Sequence, residues 1–252
     1  MRIALIGDIH ANLPALDAVL AHANSLGITR FLNIGDMVGY NAFPEQVIQR
    51  LRQHNVTSIL GNYDRKVIQF PQKGEKWKQT KPGLKLQAFQ WAYEQLSPAS
   101  LAYLHALPEQ QIVEIQGVSI LLTHGSPESR SEYLTPLTPL TRLEELAAMT
   151  SARVIVCGHS HVPFTRHAAG HLFINTGSIG RPDDGDPRAS YAVLNMDEGK
   201  LTVTHHRLEY DTHLAAQAIR GQNLPEEFAQ MVLLGRSLDW VLANSLPPIR
   251  PE

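Results

Sequence analysis

Residues 2–10 read Arg2-Ile3-Ala4-Leu5-Ile6-Gly7-Asp8-Ile9-His10, a short apolar run that stops at a glycine and delivers Asp8 and His10 just beyond it. The same phrase recurs where Phe31 to Ile34 runs into Gly35-Asp36, and where Val56 to Leu60 runs into Gly61-Asn62-Tyr63-Asp64. Between these runs, Leu13, Leu16, Val19, Leu20 and Ala23 recur at helical spacing up to Gly27, and a second helix is read from Pro44 to about His54. Strand, helix, strand, helix, strand predicts a parallel sheet. Ligands of such sheets lie beyond the C-terminal strand ends, which sets Asp8, Asp36 and Asn62 on one rim.

Outward from this frame, Arg65 to Pro108 changes to polar loop and helix. A Lys-rich stretch with Gly74 and Pro82-Gly83 precedes a helix from Leu84 to Leu96, then Ser97-Pro98 reads as an N-cap and first-turn proline. This is a helical insertion beside the rim, either surface cover or a substrate-shaping lid. Strands resume at Gln111 to Ile115 and Val118 to Thr123 about a turn at Gly117, a helix runs from Leu140 to Met149, and Val154 to Cys157 is a strand. Four further strands, about 164–167, 172–175, 191–195 and 201–206, are expected to meander as a mixed or antiparallel second sheet. A helical tail from about 211 continues to Pro247-Pro248. The expectation is an α/β chain forming one domain over 1–252, with the insertion at about 65–108.

The 252 residues carry 22 Lys plus Arg against 24 Asp plus Glu, a net charge of −2, with 43% hydrophobic residues. That composition excludes disorder, collagen and coiled coil. The near-neutral balance gives no strong nucleic-acid signal and argues against a broad grip on anionic membrane. A single cysteine, Cys157, cannot build a disulfide framework; in a buried strand it is an inert small hydrophobe. Arg2 to Ile6 runs straight into Gly7-Asp8 without a long apolar region, so no leader is expected, and no stretch approaches the roughly 18 apolar residues of a membrane span. The expected compartment is the cytoplasm, with self-association left open.

Five clusters follow predicted strands: Asp8-Ile9-His10, Gly35-Asp36, Gly61-Asn62-Tyr63-Asp64, Thr123-His124-Gly125 and Gly158-His159-Ser160-His161. Each alone is weak, since Gly-Asp is an ordinary turn and a lone His is usually a satisfied surface or core group. In this order they offer Asp8, Asp36, Asn62 and four His, a ligand set for two divalent cations. Oxygen and imidazole donors without thiolate suit manganese first, with Fe, Zn, Ni or Co also suitable, better than Ca or a Cys-rich structural zinc site. An Asp between two such cations can bridge them, one oxygen to each. Metal pairs of this kind stabilise in-line displacement at phosphorus, so the chemistry expected is phosphoester hydrolysis.

This order of motifs resembles the calcineurin-like metallophosphoesterase family, whose pattern is D-x-H, G-D, G-N-H-D/E, H and G-H-x-H. The resemblance spans Asp8 to His161, and Asn175-Thr176-Gly177-Ser178, Val38-Gly39-Tyr40 and Asp184-Gly185-Asp186-Pro187-Arg188 are similar to its small bacterial and archaeal phosphodiesterase branch. It implies Asp8, His10 and His161 on one metal, Asn62, His124 and His159 on the other, and Asp36 bridging. It also implies a metal-bridging hydroxide as nucleophile, with Asn62 near the phosphoryl oxygens. The fold implied is two mixed β-sheets packed face to face with helices outside, a four-layer α-β-β-α arrangement. Tyr63 departs from the pattern by standing at the position of the motif histidine. A phenol near pKa 10 relays protons at neutral pH less well than an imidazole near 6.5. Three readings of Tyr63 follow: better leaving groups, a hydrogen-bond donor with Asp64 as an orienting carboxylate, or rim packing.

Softer substrate candidates are Asn12, which is also a natural helix N-cap, and Tyr40, Asn41 and Arg181, each alternatively an exposed loop residue. Arg65, Lys66, Lys73, Lys76, Lys78, Lys81 and Lys85 could attract a polyanion or simply form a solvated helical face. The remaining histidines, His22, His54, His105, His167, His171, His205, His206 and His213, are assigned no metal. The leading function is a metal-dependent phosphoesterase acting on diesters or a small nucleotide-like phosphate. Its alternatives are a phosphomonoesterase, including a protein or nucleotide phosphatase, and a weakly active protein-interaction scaffold.

Overall fold

The computed structural model describes residues 1–80 and 83–244; Lys81, Pro82 and the expected stop at Pro247-Pro248 lie outside the described residues. In chain order the elements are β1 (Arg2–Ile6), α1 (Leu13–Ser25), β2 (Phe31–Asn33), α2 (Pro44–Gln53), β3 (Thr57–Ser58), α3 (Asn62–Ile68), α4 (Phe70–Lys78), α5 (Gly83–Gln95) and α6 (Pro98–Ala106). They continue with β4 (Gln110–Ile115), β5 (Val118–Thr123), α7 (Leu140–Ala147), β6 (Val154–Cys157), β7 (Phe164–Ala168) and β8 (His171–Asn175). The chain then forms β9 (Ala189–Asp197), β10 (Lys200–Leu208), α8 (Thr212–Gly221), α9 (Glu226–Leu234) and α10 (Leu238–Asn244).

Ten strands form two mixed five-stranded sheets, ordered β10-β9-β1-β2-β3 and β4-β5-β6-β8-β7. β1, β2 and β3 run parallel, as the βαβ rhythm requires. The alternation of side chains along β1 builds the layers: Ile3 and Leu5 face an apolar seam shared with Ile120, Leu122, Val154 and Val156 of the second sheet. Ala4 and Ile6 face the opposite side, among Leu16 and Val19 of α1 and residues of the tail helices. Leu121, Ile155 and Phe173 turn outward onto Leu143 and Leu146 of α7. The result is a helix–sheet–sheet–helix stack whose central seam excludes water. Each fully buried aliphatic side chain there stabilises the fold by roughly 1.5–3 kcal/mol.

Three expectations need correction. The last two strands join the first sheet, where β9 pairs antiparallel with β1 and β10 covers the edge. β9 is buried along most of its length, whereas β10 alternates, the signatures of a central and an edge strand. The third strand shrinks to Thr57–Ser58, because beyond it the Leu60 N–H turns away to the Pro108 carbonyl at 2.8 Å. Finally, the polar stretch after Gly61 is helical almost at once, with Asp64 accepting from the Gly61 N–H to close the first turn of α3. Ser97 caps α6 as read, accepting from the Ser100 N–H at 3.2 Å.

Candidate metal centre

Loops leaving β1, β2, β3, β5 and β6 converge at one end of the two sheets. They bring Asp8, His10, Asp36, Asn62, His124, His159 and His161 together, all buried. The backbone is bent to do so: Asp8, His10, Asp36, His159 and His161 have φ of 50°, 48°, 54°, 65° and 59°. Left-handed conformations at non-glycine residues cost on the order of 1–3 kcal/mol each and cluster at functional sites. Cross-loop bonds hold them, among them Asp8 N–H to Gly35 O at 3.0 Å and His10 N–H to Asp36 O at 2.9 Å. A Cβ on Gly158 would collide with Asp8 Oδ2, so the close approach of these two loops demands glycine.

Two groups of candidate ligands result, Asp8, His10 and His161, and Asp36, His124 and His159; within each, the ligand atoms lie within 4.8 Å of one another. Hydrogen bonds fix which atoms face inward. His124 Nδ1 pairs with the Ile34 carbonyl at 2.9 Å and His161 Nδ1 with the Arg181 carbonyl at 2.6 Å. Each Nδ1–H therefore donates outward, which turns each Nε2 into the site. Asp8 Oδ2 accepts from the His159 N–H at 3.0 Å, leaving Oδ1 buried without a partner. His124 Nε2 and Asn62 Oδ1 are likewise buried and unpartnered. Buried polar atoms are ordinarily satisfied. His10 Nε2 and His161 Nε2 face one another at 3.4 Å and His10 Nδ1 is buried without a partner, an arrangement that fits a divalent cation between the two rings.

Asp36 lies between the groups, with Oδ2 at 3.8 Å from His10 Nε2 and 3.4 Å from His124 Nε2. Its Oδ1 accepts from the Tyr63 N–H at 2.7 Å. Of its two carboxylate oxygens, Oδ2 faces both groups. Burial opposes charge on Asp36, yet the neighbouring His124 holds its carboxyl well below the ordinary carboxylate range. Burial also opposes charge on His124, but Asp36 outweighs it and raises the imidazole to about 9. Burial lowers His10 to about 3 and His159 to about 4.

The centre opens into a cavity of about 360 Å³ lined by Asp36, Asn62, Tyr63, His159 and His161 together with Lys66, Lys85, Tyr133, Arg181, Asp183, Ser237 and Asp239. The insertion thus supplies Lys66 and Lys85, whereas Arg65 pairs with Glu109 and Lys78 with Glu75 at the surface. Tyr133, Asp183, Ser237 and Asp239 went unread in the sequence: each sits in an ordinary-looking loop or helix cap, and only the tertiary fold carries them here. Of the softer candidates, Arg181 lines the cavity. Asn12 is the helix cap, accepting from Ala15 N–H and donating to Gly180 O and Tyr210 Oη, so its amide is fully occupied away from the cavity. Tyr40 and Asn41 are buried behind the site, where Tyr40 Oη meets Tyr63 Oη at 2.5 Å and Asn41 donates to the His10 carbonyl at 2.8 Å. Asp64 does not touch the Tyr63 phenol; its oxygens take the N–H groups of Met37, Val38 and Gly61. Cys157 is buried and unpaired, with its thiol pushed up by burial.

A family model for the calcineurin-like phosphoesterase superfamily domain matches residues 1–199. The chain is 31% identical over 251 residues to uncharacterized protein MJ0912 of Methanocaldococcus jannaschii, covering 93% of this chain and 98% of that one. It is 27% identical to phosphodiesterase YfcE of Escherichia coli, over 78% of this chain and 89% of the relative. Among solved structures, a metallophosphoesterase from Sphaerobacter thermophilus is 29% identical with a TM-score of 0.76, covering 93% of this chain and 100% of that one. Protein PH1004 of Pyrococcus horikoshii shares the fold with a TM-score of 0.85 at 24% identity, over 93% and 98% of the two chains.

Proposed function

The chain belongs to the calcineurin-like phosphoesterase superfamily and is a metal-dependent phosphoesterase, and on that premise we propose that it hydrolyses phosphodiesters with two divalent cations. The observation that carries the two-cation reading is Asp36 Oδ2, which faces His10 of one ligand group and His124 of the other. Asp8, His10 and His161 hold one cation, Asn62, His124 and His159 the other, and Asp36 joins them. When bound, such a pair lowers the pKa of water and neutralises charge at the phosphoryl group. Manganese is the first cation to test, on the mixture of carboxylate, amide and imidazole donors.

The chain's own residues supply the rest. Asn62 and Arg181 line the cavity beside the ligands and bind phosphoryl oxygens, with Lys66 and Lys85 adding positive charge to its wall. Burial holds the Tyr63 phenol well above its ordinary pKa, so at neutral pH it donates a hydrogen bond and does not give up its proton. Substrates with acidic leaving groups, which depart without protonation, therefore suit this site. Diester preference is supported by the Escherichia coli relative, a phosphodiesterase. The lysines and Arg181 favour a second reading, a dianionic phosphomonoester. We assign a small phosphoester as substrate, one domain and the cytoplasm; in support of the last, the one cysteine is buried and unpaired, and no helix among the described residues is long and apolar enough to cross a membrane.

The test is the metal content of the purified chain together with hydrolysis of bis(p-nitrophenyl) phosphate and p-nitrophenyl phosphate under added manganese, beside Asp36→Asn. The expected result is about two metals per chain and a rate that falls at least about 100-fold in the variant. The ratio of the two wild-type rates separates diesterase from monoesterase. No bound metal and no hydrolysis across several cations would leave a protein-interaction scaffold.

A further inference from the structure

We propose that Tyr40 is a positioning residue that fixes the direction of the Tyr63 hydroxyl, so that Tyr63 presents a permanent hydrogen-bond donor to a substrate oxygen in the cavity. The inference rests on reading that cavity as the phosphoester site.

A phenol has one proton to give and lone pairs to receive with. Tyr40 is buried, and among the described residues its hydroxyl meets only the Tyr63 hydroxyl, at 2.5 Å. If Tyr63 donated to Tyr40, the Tyr40 proton would be sealed in the interior without an acceptor, a state that folded proteins avoid. Tyr40 therefore donates and Tyr63 accepts. Tyr63 lines the cavity, so its own proton turns toward the space flanked by Asn62, Asp36 and His161. Accepting one hydrogen bond polarises a hydroxyl and strengthens the one it gives.

The surroundings hold this direction. Tyr40 adopts a left-handed backbone with φ of 68°, unusual for an aromatic residue, which turns its ring into the interior. There Phe228 meets it edge-on at 5.1 Å and the Arg181 guanidinium lies 4.5 Å from its centroid. The guanidinium is attracted to the ring face and holds the ring in this direction. Gly39 permits the packing, since a Cβ there would sit 3.1 Å from Tyr63 Cδ1. Tyr63 itself is wedged edge-on between His10 at 5.1 Å and Phe89 at 5.0 Å.

The experiment is a double-mutant cycle of Tyr40→Phe and Tyr63→Phe on the manganese-loaded protein. For all four proteins the readouts are metal content, melting temperature, kcat and KM for aryl phosphodiesters of graded leaving-group pKa, and the affinity for inorganic phosphate by calorimetry. Tyr63→Phe should lower kcat/KM about 10-fold by the same factor across the leaving-group series, as loss of a donor does. Tyr40→Phe should cost about 3-fold in the Tyr63 background and nothing further beside Tyr63→Phe, with phosphate affinity following the same pattern. An equal loss from Tyr40→Phe in both backgrounds, or none in either, would overturn the proposal. So would a loss from Tyr63→Phe that grows with leaving-group pKa, which marks an acid; this result needs only Tyr63→Phe and survives a poorly folded Tyr40→Phe. A wild-type chain that neither binds manganese nor hydrolyses any ester instead overturns the underlying reading of the site.

Discussion

Asp64 shows what one buried carboxylate does for this site without entering it. Its Oδ1 accepts from Met37 N–H at 2.8 Å and Val38 N–H at 3.1 Å, and its Oδ2 from Gly61 N–H at 3.1 Å. Met37 and Val38 directly follow Asp36 and Gly61 precedes α3, so Asp64 ties the Asp36 turn to the start of α3. Burial, reinforced by the Asp36 charge, raises Asp64 to about 7 even against these bonds. Asp64→Asn puts an N–H₂ where an acceptor is needed and orphans at least one buried N–H, at a cost of about 1–3 kcal/mol. The melting temperature should fall by several degrees and metal content with it; calorimetry with metal analysis checks both, and an unchanged pair of values would show that the turn holds itself. Residues of this kind divide sharply in legibility. Asp8, Asp36 and His124 could be read because each follows an apolar run that any parallel strand would show. Tyr40 could not, because nothing local in Val38-Gly39-Tyr40 says that the ring turns inward, and Asn12 fitted two readings until its amide was seen to be fully occupied.

Among the elements, helices outside the sheets line the cavity over the centre with Lys66, Lys85 and Asp239. The family match ends at residue 199, whereas α10 begins at Leu238 and still supplies Asp239 to the cavity wall, opposite Lys85 of α5. Lys85 Nζ bonds the Asp239 carboxylate at 3.0 and 3.1 Å, with the lysine partly covered and the aspartate largely exposed. Such a pair contributes at most about 1 kcal/mol to stability. Both residues line the cavity, where the aspartate neutralises one cation of the wall. Asp239→Ala should leave the melting temperature within a degree or two and lower KM for a dianionic monoester several-fold relative to a diester, while Lys85→Ala should raise it. Steady-state kinetics on the two p-nitrophenyl esters reads both, and identical KM ratios in both variants would remove the pair from substrate selection. Most strands and helices were legible from period and punctuation. The partners of the last two strands were not: β9 and β10 read correctly as strands but extend the first sheet, β9 beside β1 and β10 beside β9, because hydrophobic pattern specifies a face and says nothing about which edge receives it.

For the molecule as a whole, the candidate ligands come from both sheets, with Asp8, His10, Asp36 and Asn62 carried by the first and His124, His159 and His161 by the second. A cation held by Asp8 and His161, or by Asp36 and His124, therefore joins the two layers at the end of their apolar seam. Binding to the folded state alone stabilises it by about 2.7 kcal/mol per site at a hundredfold excess over Kd. For two sites in a chain of this size, chelation should lower the melting temperature by of order 10 °C. The size of that gap should depend on pH through His124. In the metal-free chain its imidazole is raised from 6.5 to about 9, so between those values the folded form holds a proton that the unfolded form has lost. The contribution of His124 to the stability of the metal-free chain is accordingly full below about 6.5 and declines as pH rises toward 9. A cation needs the unprotonated Nε2 and must displace that proton, so its affinity climbs through the same window. Calorimetric titration with manganese at pH 7.5, in two buffers of different ionisation enthalpy, should register about one proton released. The loaded-minus-chelated gap should widen from pH 6.5 to 9. A gap that stays flat with no proton released would mean that His124 is not a ligand, and a chelator that leaves the melting temperature untouched would mean that the apolar seam alone closes the two sheets.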